Sequence, residues 1–254
     1  MKDYRIEVNG LRKSYGGRVV NDIPKLTLAE RRIEGLIGPN GAGKTTLMSL
    51  ITGRIGADSG SVLLFQGDEA TEISGLSQDR IARLGVVRTN QKIQDFESLT
   101  MEDSMMLSLA THRDESPWKL FGVRSFSDRC SPIIRNFVGA LKLSDPSGRA
   151  LSAGEKKLLD IVRCLLLKPK VLLMDEPTVG LPTDQTDEVM SLVRRIVDQE
   201  GMKVVIIEHD LDLIWKVCEH VHFMADGKIL LHGTPEEVRT NQLVRDKYMG
   251  ESHA

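Results

Sequence analysis

Polar and apolar residues alternate at the start of the chain, with Tyr4, Ile6 and Val8 on one side of an extended segment, and short extended pieces recur from Val19 to Leu28. A period of two predicts strands, and their succession predicts an antiparallel β layer. The period then changes. Residues Ile33 to Ile37 form a continuous apolar run, as in a strand buried on both faces; the run enters the glycine-rich GPNGAGKT, and TTLMSLITG beyond it has helical spacing up to Gly53. The unit is strand, loop, helix.

Ser61 to Phe65 is again extended, Ser77 to Leu84 is a helix with Ser77 as its cap, and Gly85 to Arg88 is a further strand. From Thr100 to Leu143 the spacing turns helical, broken by Pro117, Gly122 and Pro132, which predicts a helical insert with an irregular loop. Val171 to Met174 and Val204 to Ile207 are short apolar runs separated by a helical stretch, the alternation of parallel strands joined by crossover helices. No internal repeat, low-complexity tract or linker divides the chain, so its 254 residues are expected to form one α/β domain.

Composition narrows the function. Lys plus Arg number 34 against 36 Asp plus Glu, so no net field recruits nucleic acid or an anionic membrane, and direct nucleic-acid binding is not expected. No stretch of about 18 apolar residues occurs and MKDYRIEVNG lacks the apolar run of a secretory signal, so membrane contact is expected only through a partner. Cys130, Cys164 and Cys218 are an odd number without metal-ligand spacing, as expected of reduced thiols in the cytosol.

The chemistry concentrates in a few segments. Gly38, Pro39, Asn40, Gly41, Ala42, Gly43, Lys44 and Thr45 satisfy G-x-x-x-x-G-K-[ST] between a strand and a helix, with Thr46 following. Glycines let backbone N–H groups converge on phosphate oxygens, the helix N-terminus adds positive potential, Lys44 faces the outer phosphates, and the Thr45 hydroxyl can ligate Mg²⁺. The expected ligand is ATP. VLLMDEP places Asp175 and Glu176 past a strand's carboxyl end, where open α/β sheets bind ligands. Asp175 suits Mg²⁺, and Glu176 suits polarising the water that attacks the γ-phosphate. Ser152 and Glu155 in LSAGE form a capping-box pattern, which by itself means only that a helix begins. Gln91 follows GVVRT and His209 follows VVIIE, so both are expected beyond strand ends on the ligand side.

In this order, GPNGAGKT, Gln91, LSAGE, VLLMDEP and His209 resemble the ATP-binding cassette (ABC) ATPases over almost the whole chain. The resemblance implies a P-loop NTPase of the α/β class: a RecA-like parallel-sheet core, an N-terminal antiparallel β subdomain and an α-helical signature subdomain at roughly residues 92–165. It implies catalytic roles for Glu176, His209, Lys44 and Gln91, adenine stacking on Tyr15, and Mg²⁺ held by Thr45, Gln91 and Asp175. It also implies two nucleotide-binding subunits, identical or different, closing head to tail on ATP, with Ser152 and Gly154 of one meeting the γ-phosphate held by the other. Within the family, GLIGPNGAGKTTL, VVRTNQ and HGTPEEV look most like subunits that power uptake of branched-chain amino acids and of related solutes such as urea. That likeness implies transmembrane permease subunits as partners and a peripheral place on the cytoplasmic face of the membrane. Two positions depart from the family pattern: LSAGE stands where LSGGQ is usual, and Pro182 stands where Asp is common, with Asp184 close by. Lipid or lipopolysaccharide export, and a soluble machine acting on protein or nucleic acid, are the alternative tasks for such an ATPase.

Overall fold

A computed structural model describes residues 3–89, 105, 132–140 and 151–249. Strands β1 (Tyr4–Tyr15) and β2 (Arg18–Leu28) form an antiparallel hairpin, β4 (Ser59–Gln66) pairs with the other edge of β1, and β5 (Glu69–Glu72) pairs with β4. Ile6, Val8, Leu28, Val62 and Leu64 from this sheet are buried, which is the period of two expressed as packing. No apolar cue marks β5, because all four of its residues are exposed.

The second sheet has the order β10-β9-β3-β8-β7-β6. Here β3 (Ile33–Ile37), β6 (Val86–Arg88), β7 (Val171–Asp175), β8 (Lys203–Ile207) and β9 (His220–Ala225) run parallel, and β10 (Lys228–Gly233) returns antiparallel at the edge. Leu172, Met174, Val204 and Ile206 enter one core; Val171, Leu173, Val205 and Ile207 enter the other. Neighbours along each strand thus face opposite layers, which is why these strands read as unbroken apolar runs. The first core is closed by helices α4 (Ala153–Leu166), α5 (Thr183–Glu200) and α6 (Leu211–Val217), and the second by α1 (Lys44–Ile51) and the antiparallel sheet.

Helix α2 (Gln78–Arg83) begins after Ser77 as expected, yet the Ser77 side chain makes no capping bond to the helix backbone. Instead it hydrogen-bonds Asp79 and, with Arg83, holds that carboxyl below its usual range. Helix α3 (Pro132–Ala140) starts at Pro132, a residue read from sequence as a breaker. Proline lacks only an N–H that a helix's first turn leaves unbonded, so it is compatible with the first described turn of α3. Helices α7 (Pro235–Thr240) and α8 (Gln242–Met249) follow β10. Gln91, Cys130, Pro117, Gly122 and most of the expected helical insert lie outside the described residues. Among the described residues, no helix is long and apolar enough to cross a membrane.

Candidate functional site

The phosphate-loop sequence leaves β3 at its carboxyl end and turns into α1. Gly38 has φ of 152°, and a Cβ there would stand 1.9 Å from the Met224 carbonyl oxygen on β9. At Gly43, φ is 101° and a Cβ would meet the Val20 carbonyl oxygen at 2.6 Å. Both positions therefore demand glycine by conformation and by space. The turn from β9 to β10 braces the loop from outside: Asp226 and Gly227 both have positive φ, Gly227 N–H donates to Ala42 O at 3.1 Å, and Asp22 N–H donates to Gly227 O at 2.8 Å. Asn21 Nδ2 adds a bond to Gly43 O at 3.2 Å.

Lys44 is buried in the curl of the loop, its ammonium donating to Gly38 O at 2.6 Å and Pro39 O at 3.0 Å. A cavity of about 200 Å³ opens beside it, lined on one side by Asn40 to Thr46 and on the other by Glu176 and His209. A second cavity, of about 480 Å³, continues past Pro39 to Ala42 toward Arg18, Val19 and Val20 of β2. Tyr15, half exposed at the end of β1, lines neither cavity; its ring faces Lys13 Nζ at 5.4 Å.

Asp175 is the last residue of β7 and fully buried, and its Oδ1 lies 3.5 Å from Thr45 Oγ1. Glu176 leaves the sheet with φ of 50°, tied back by its N–H to Ile207 O at 2.9 Å. Its Oε1 meets His209 Nε2 at 3.0 Å. Residues that are 130 and 33 positions apart in sequence thus converge at one end of the parallel sheet. What such a constellation can do chemically is grip a polyphosphate with main-chain amides and present a carboxylate beside its terminal group.

The family model described as ABC transporter matches residues 22–179 of the chain. The chain belongs to the ABC transporter family. A high-affinity branched-chain amino acid transport ATP-binding protein of Pseudomonas aeruginosa is 30% identical over 254 residues, covering 97% of this chain and 98% of the relative. Its Escherichia coli K12 counterpart is 31% identical over 257 residues, with 97% and 98% covered. The lipopolysaccharide export system ATP-binding protein of the same bacterium is 31% identical over 246 residues, with 97% of each covered. Among solved structures, an ATP-binding cassette of an ABC transporter in its ADP conformation superposes with a TM-score of 0.78 at 27% identity, covering 98% of this chain and 99% of the other. The chain is therefore an ABC ATPase that binds and hydrolyses ATP.

In this ABC cassette, LSAGE starts α4 with a complete capping box. Ser152 Oγ accepts from Glu155 N–H at 3.3 Å, and Glu155 Oε2 accepts from Ser152 N–H at 2.8 Å. Ser152 is exposed, whereas Gly154 is buried where a Cβ would meet Gly180 O at 2.9 Å. Neither residue lines the cavities beside Lys44. Pro182 occupies the N-cap of α5 without a side-chain bond, and exposed Asp184 lies in that helix's first turn.

Three supporting residues escaped sequence reading. Arg88 joins Asp175 Oδ2 through Nη2 and Ser49 Oγ through Nη1 at 2.8 Å, all in a nearly buried setting. Thr89 Oγ1 accepts from Asp175 N–H at 3.1 Å. Glu208, itself buried, accepts from Thr178 N–H at 2.8 Å and from His209 N–H at 3.1 Å, so one carboxylate ties together the loops that follow β7 and β8. Lys157 on α4 is half-buried; desolvation lowers its pKa against the opposing pull of Glu208, Glu176 and Asp175. Arg88 and Thr89 sit in the VVRT that precedes Gln91, and Glu208 directly precedes His209, so position beside a recognised motif was the available signal.

Proposed function

We propose that the chain powers a membrane importer of branched-chain amino acids or a related small polar solute, working as a pair of nucleotide-binding subunits on the cytoplasmic face. The observation that carries this reading is the likeness, over 97% of the chain, to branched-chain amino acid transport ATP-binding proteins. Transmembrane permease subunits are the partners it requires. The shared name of those relatives favours import, and the equal identity of the lipopolysaccharide export protein keeps export as the second reading.

At the site, main-chain N–H groups from Gly38 to Thr46 would cradle the phosphates and Lys44 would exchange its loop carbonyls for phosphate oxygens. Thr45 and Asp175 offer two hard oxygen donors 3.5 Å apart, a set that fits Mg²⁺. Bound there with ATP, Mg²⁺ would neutralise phosphate charge. Glu176 would take a proton from the water that attacks the γ-phosphorus as the bond to the β–γ bridging oxygen breaks, and His209 would hold that carboxylate and meet the γ-phosphate. Gln91 is assigned to Mg²⁺ and the water by family likeness, and Tyr15 to adenine. Exposed Ser152 at the N-terminus of α4 would face the γ-phosphate of the opposite subunit, where the helix dipole favours an anion. Buried Gly154 would let that turn pack on Gly180 and Leu181.

Affinity purification of the tagged chain from detergent-solubilised native membranes tests the task. Retention of two hydrophobic permease subunits, with ATP hydrolysis raised by an amino-acid-loaded binding protein, is the expected result. A lipid exporter as the co-purifying partner would establish the second reading. A ribosome or soluble scaffold with no permease would refute both.

A further inference from the structure

We propose that His220, His222 and His232 form a site for a divalent transition-metal ion of the zinc class, remote from the nucleotide and independent of the transport reading. His220 and His222 are alternate residues of β9 and so share a face, and His232 on β10 is the direct cross-strand partner of His222. One ring nitrogen from each lies within 4.8 Å of the others, and this is the one such grouping of metal-ligating side chains among the described residues. His220 Nε2 and His232 Nδ1 are 3.2 Å apart. Two imidazoles on a tetrahedral zinc ion, with Zn–N near 2.0–2.1 Å, stand about 3.3 Å apart, so this pair already has the required spacing.

The second observation is independent of the clustering. His222 is 3% exposed; its Nε2 lies 3.3 Å from Glu34 Oε2, and its Nδ1 is buried with no hydrogen-bond partner. Native interiors seldom leave such an atom unpaired, because the lost hydration is not returned. A metal ion on Nδ1 would satisfy it. The Glu34 contact has the form of the carboxylate–histidine–metal relay, in which a carboxylate fixes the ring and raises its basicity. Glu34 is itself held rigid, accepting from Ala29 N–H at 2.9 Å and Arg31 N–H at 2.8 Å.

Of the remaining charged neighbours, Arg31 opposes a cation near His220, whereas Glu34 and Glu237 favour one. Glu237, close enough to feel His220, is occupied by Thr234 N–H at 2.7 Å and Thr234 Oγ1 at 2.9 Å. Three imidazoles select zinc-class ions over Mg²⁺ or Ca²⁺, which prefer oxygen. Exposed His232 and half-exposed His220 leave an approach from solvent and a fourth position for water. Along β3 the register sets His220 beside Glu34 and His222 beside Leu36, roughly 13 and 7 Å before Gly38 at about 3.3 Å per residue, and the His222 ring turns back to Glu34. Bound metal would fasten edge strand β10 to β9, whose connecting turn braces the phosphate loop.

The test uses the full chain without a polyhistidine tag, stripped with a chelator and titrated with Zn²⁺ by calorimetry in excess Mg²⁺, with Co²⁺ absorption reporting geometry. Expected are one ion per chain, a tetrahedral Co²⁺ spectrum and a higher unfolding temperature with Zn²⁺. His232→Gln alters an exposed position and should weaken binding at least about 100-fold while its metal-free urea curve matches wild type. Glu34→Gln should weaken binding about 10- to 100-fold. His209→Gln, at the nucleotide site, should bind zinc as wild type does. Failure to take up one ion per chain, wild-type affinity in His232→Gln, or loss of uptake in His209→Gln would each overturn the proposal.

Discussion

Replacing Arg88 with Met removes the positive charge from a pair in which the arginine side chain is 7% exposed and Asp175 is 0% exposed. The carboxylate would keep only its longer contact with Thr45 Oγ1 at 3.5 Å, and Ser49 Oγ would lose its Arg88 donor. Breaking a buried ion pair from one side costs about 3–5 kcal/mol, because the remaining charge stays desolvated. That is a large part of the roughly 5–15 kcal/mol that holds a domain together. Urea unfolding followed by circular dichroism, without nucleotide, measures the loss. Saturating Mg-ADP should return part of it, since metal held at Thr45 and Asp175, as proposed, would supply positive charge to the same carboxylate. The double variant R88M/D175N should lose less than R88M alone, having no orphaned charge. A loss below about 1 kcal/mol in R88M, or a double-variant loss equal to the sum of two large single losses, would refute the buried-pair reasoning.

Gly38→Ala puts a Cβ 1.9 Å from a carbonyl oxygen on a buried strand, and it should cost at least tenfold in ATP affinity together with a lower unfolding temperature; wild-type values in both assays would contradict the geometry. Gly41→Ala meets no atom within 4 Å and carries only the left-handed backbone penalty, about 1–2 kcal/mol, so it should be the milder variant in the same assays. Glu208→Gln exchanges a shared carboxylate for an amide that cannot accept on both sides, and should lower kcat about tenfold with KM for ATP within twofold; an unchanged kcat would remove Glu208 from the positioning of Glu176 and His209. Burial raises the Cys218 thiol to about 12 and the Cys164 thiol well above its ordinary value. At pH 8 about one Cys218 in ten thousand is thiolate, so a Cys130→Ser variant should resist alkylation until unfolded, and rapid native labelling would contradict this. The linkage has a sign: above the ordinary thiol range the unfolded chain loses protons that the native chain keeps, so these two cysteines reduce stability as pH rises.

The strand–loop–helix core was legible because its signals are local. An apolar run, a glycine pattern and a helical period occupy consecutive residues from Ile33 to Ile51, and β3 and α1 lie there. The convergence of Asp175, Glu176 and His209 at the carboxyl ends of β7 and β8 was legible because ligand-side residues of parallel sheets gather there, a rule of topology that needs no coordinates. Arg88 and Glu208 were not, since their worth lies in partners 87 and 30 residues away in sequence. Strand β5 has no buried residue to mark it, whereas the β9–β10 hairpin carried an unread Asp226-Gly227 turn signal between apolar residues. His220, His222 and His232 look like scattered polar residues until the register of two strands brings them face to face.

Phosphate release from Mg-ATP by the purified chain and by its Glu176→Gln variant, with ATP affinity measured on both, bears most directly on the claim that this sheet end hydrolyses ATP through Glu176. The variant should bind ATP as tightly as the native chain and release phosphate at least about 100-fold more slowly, because the carboxylate proposed to accept the water's proton would be gone while the cradle is intact. Equal rates in the two proteins would contradict that claim.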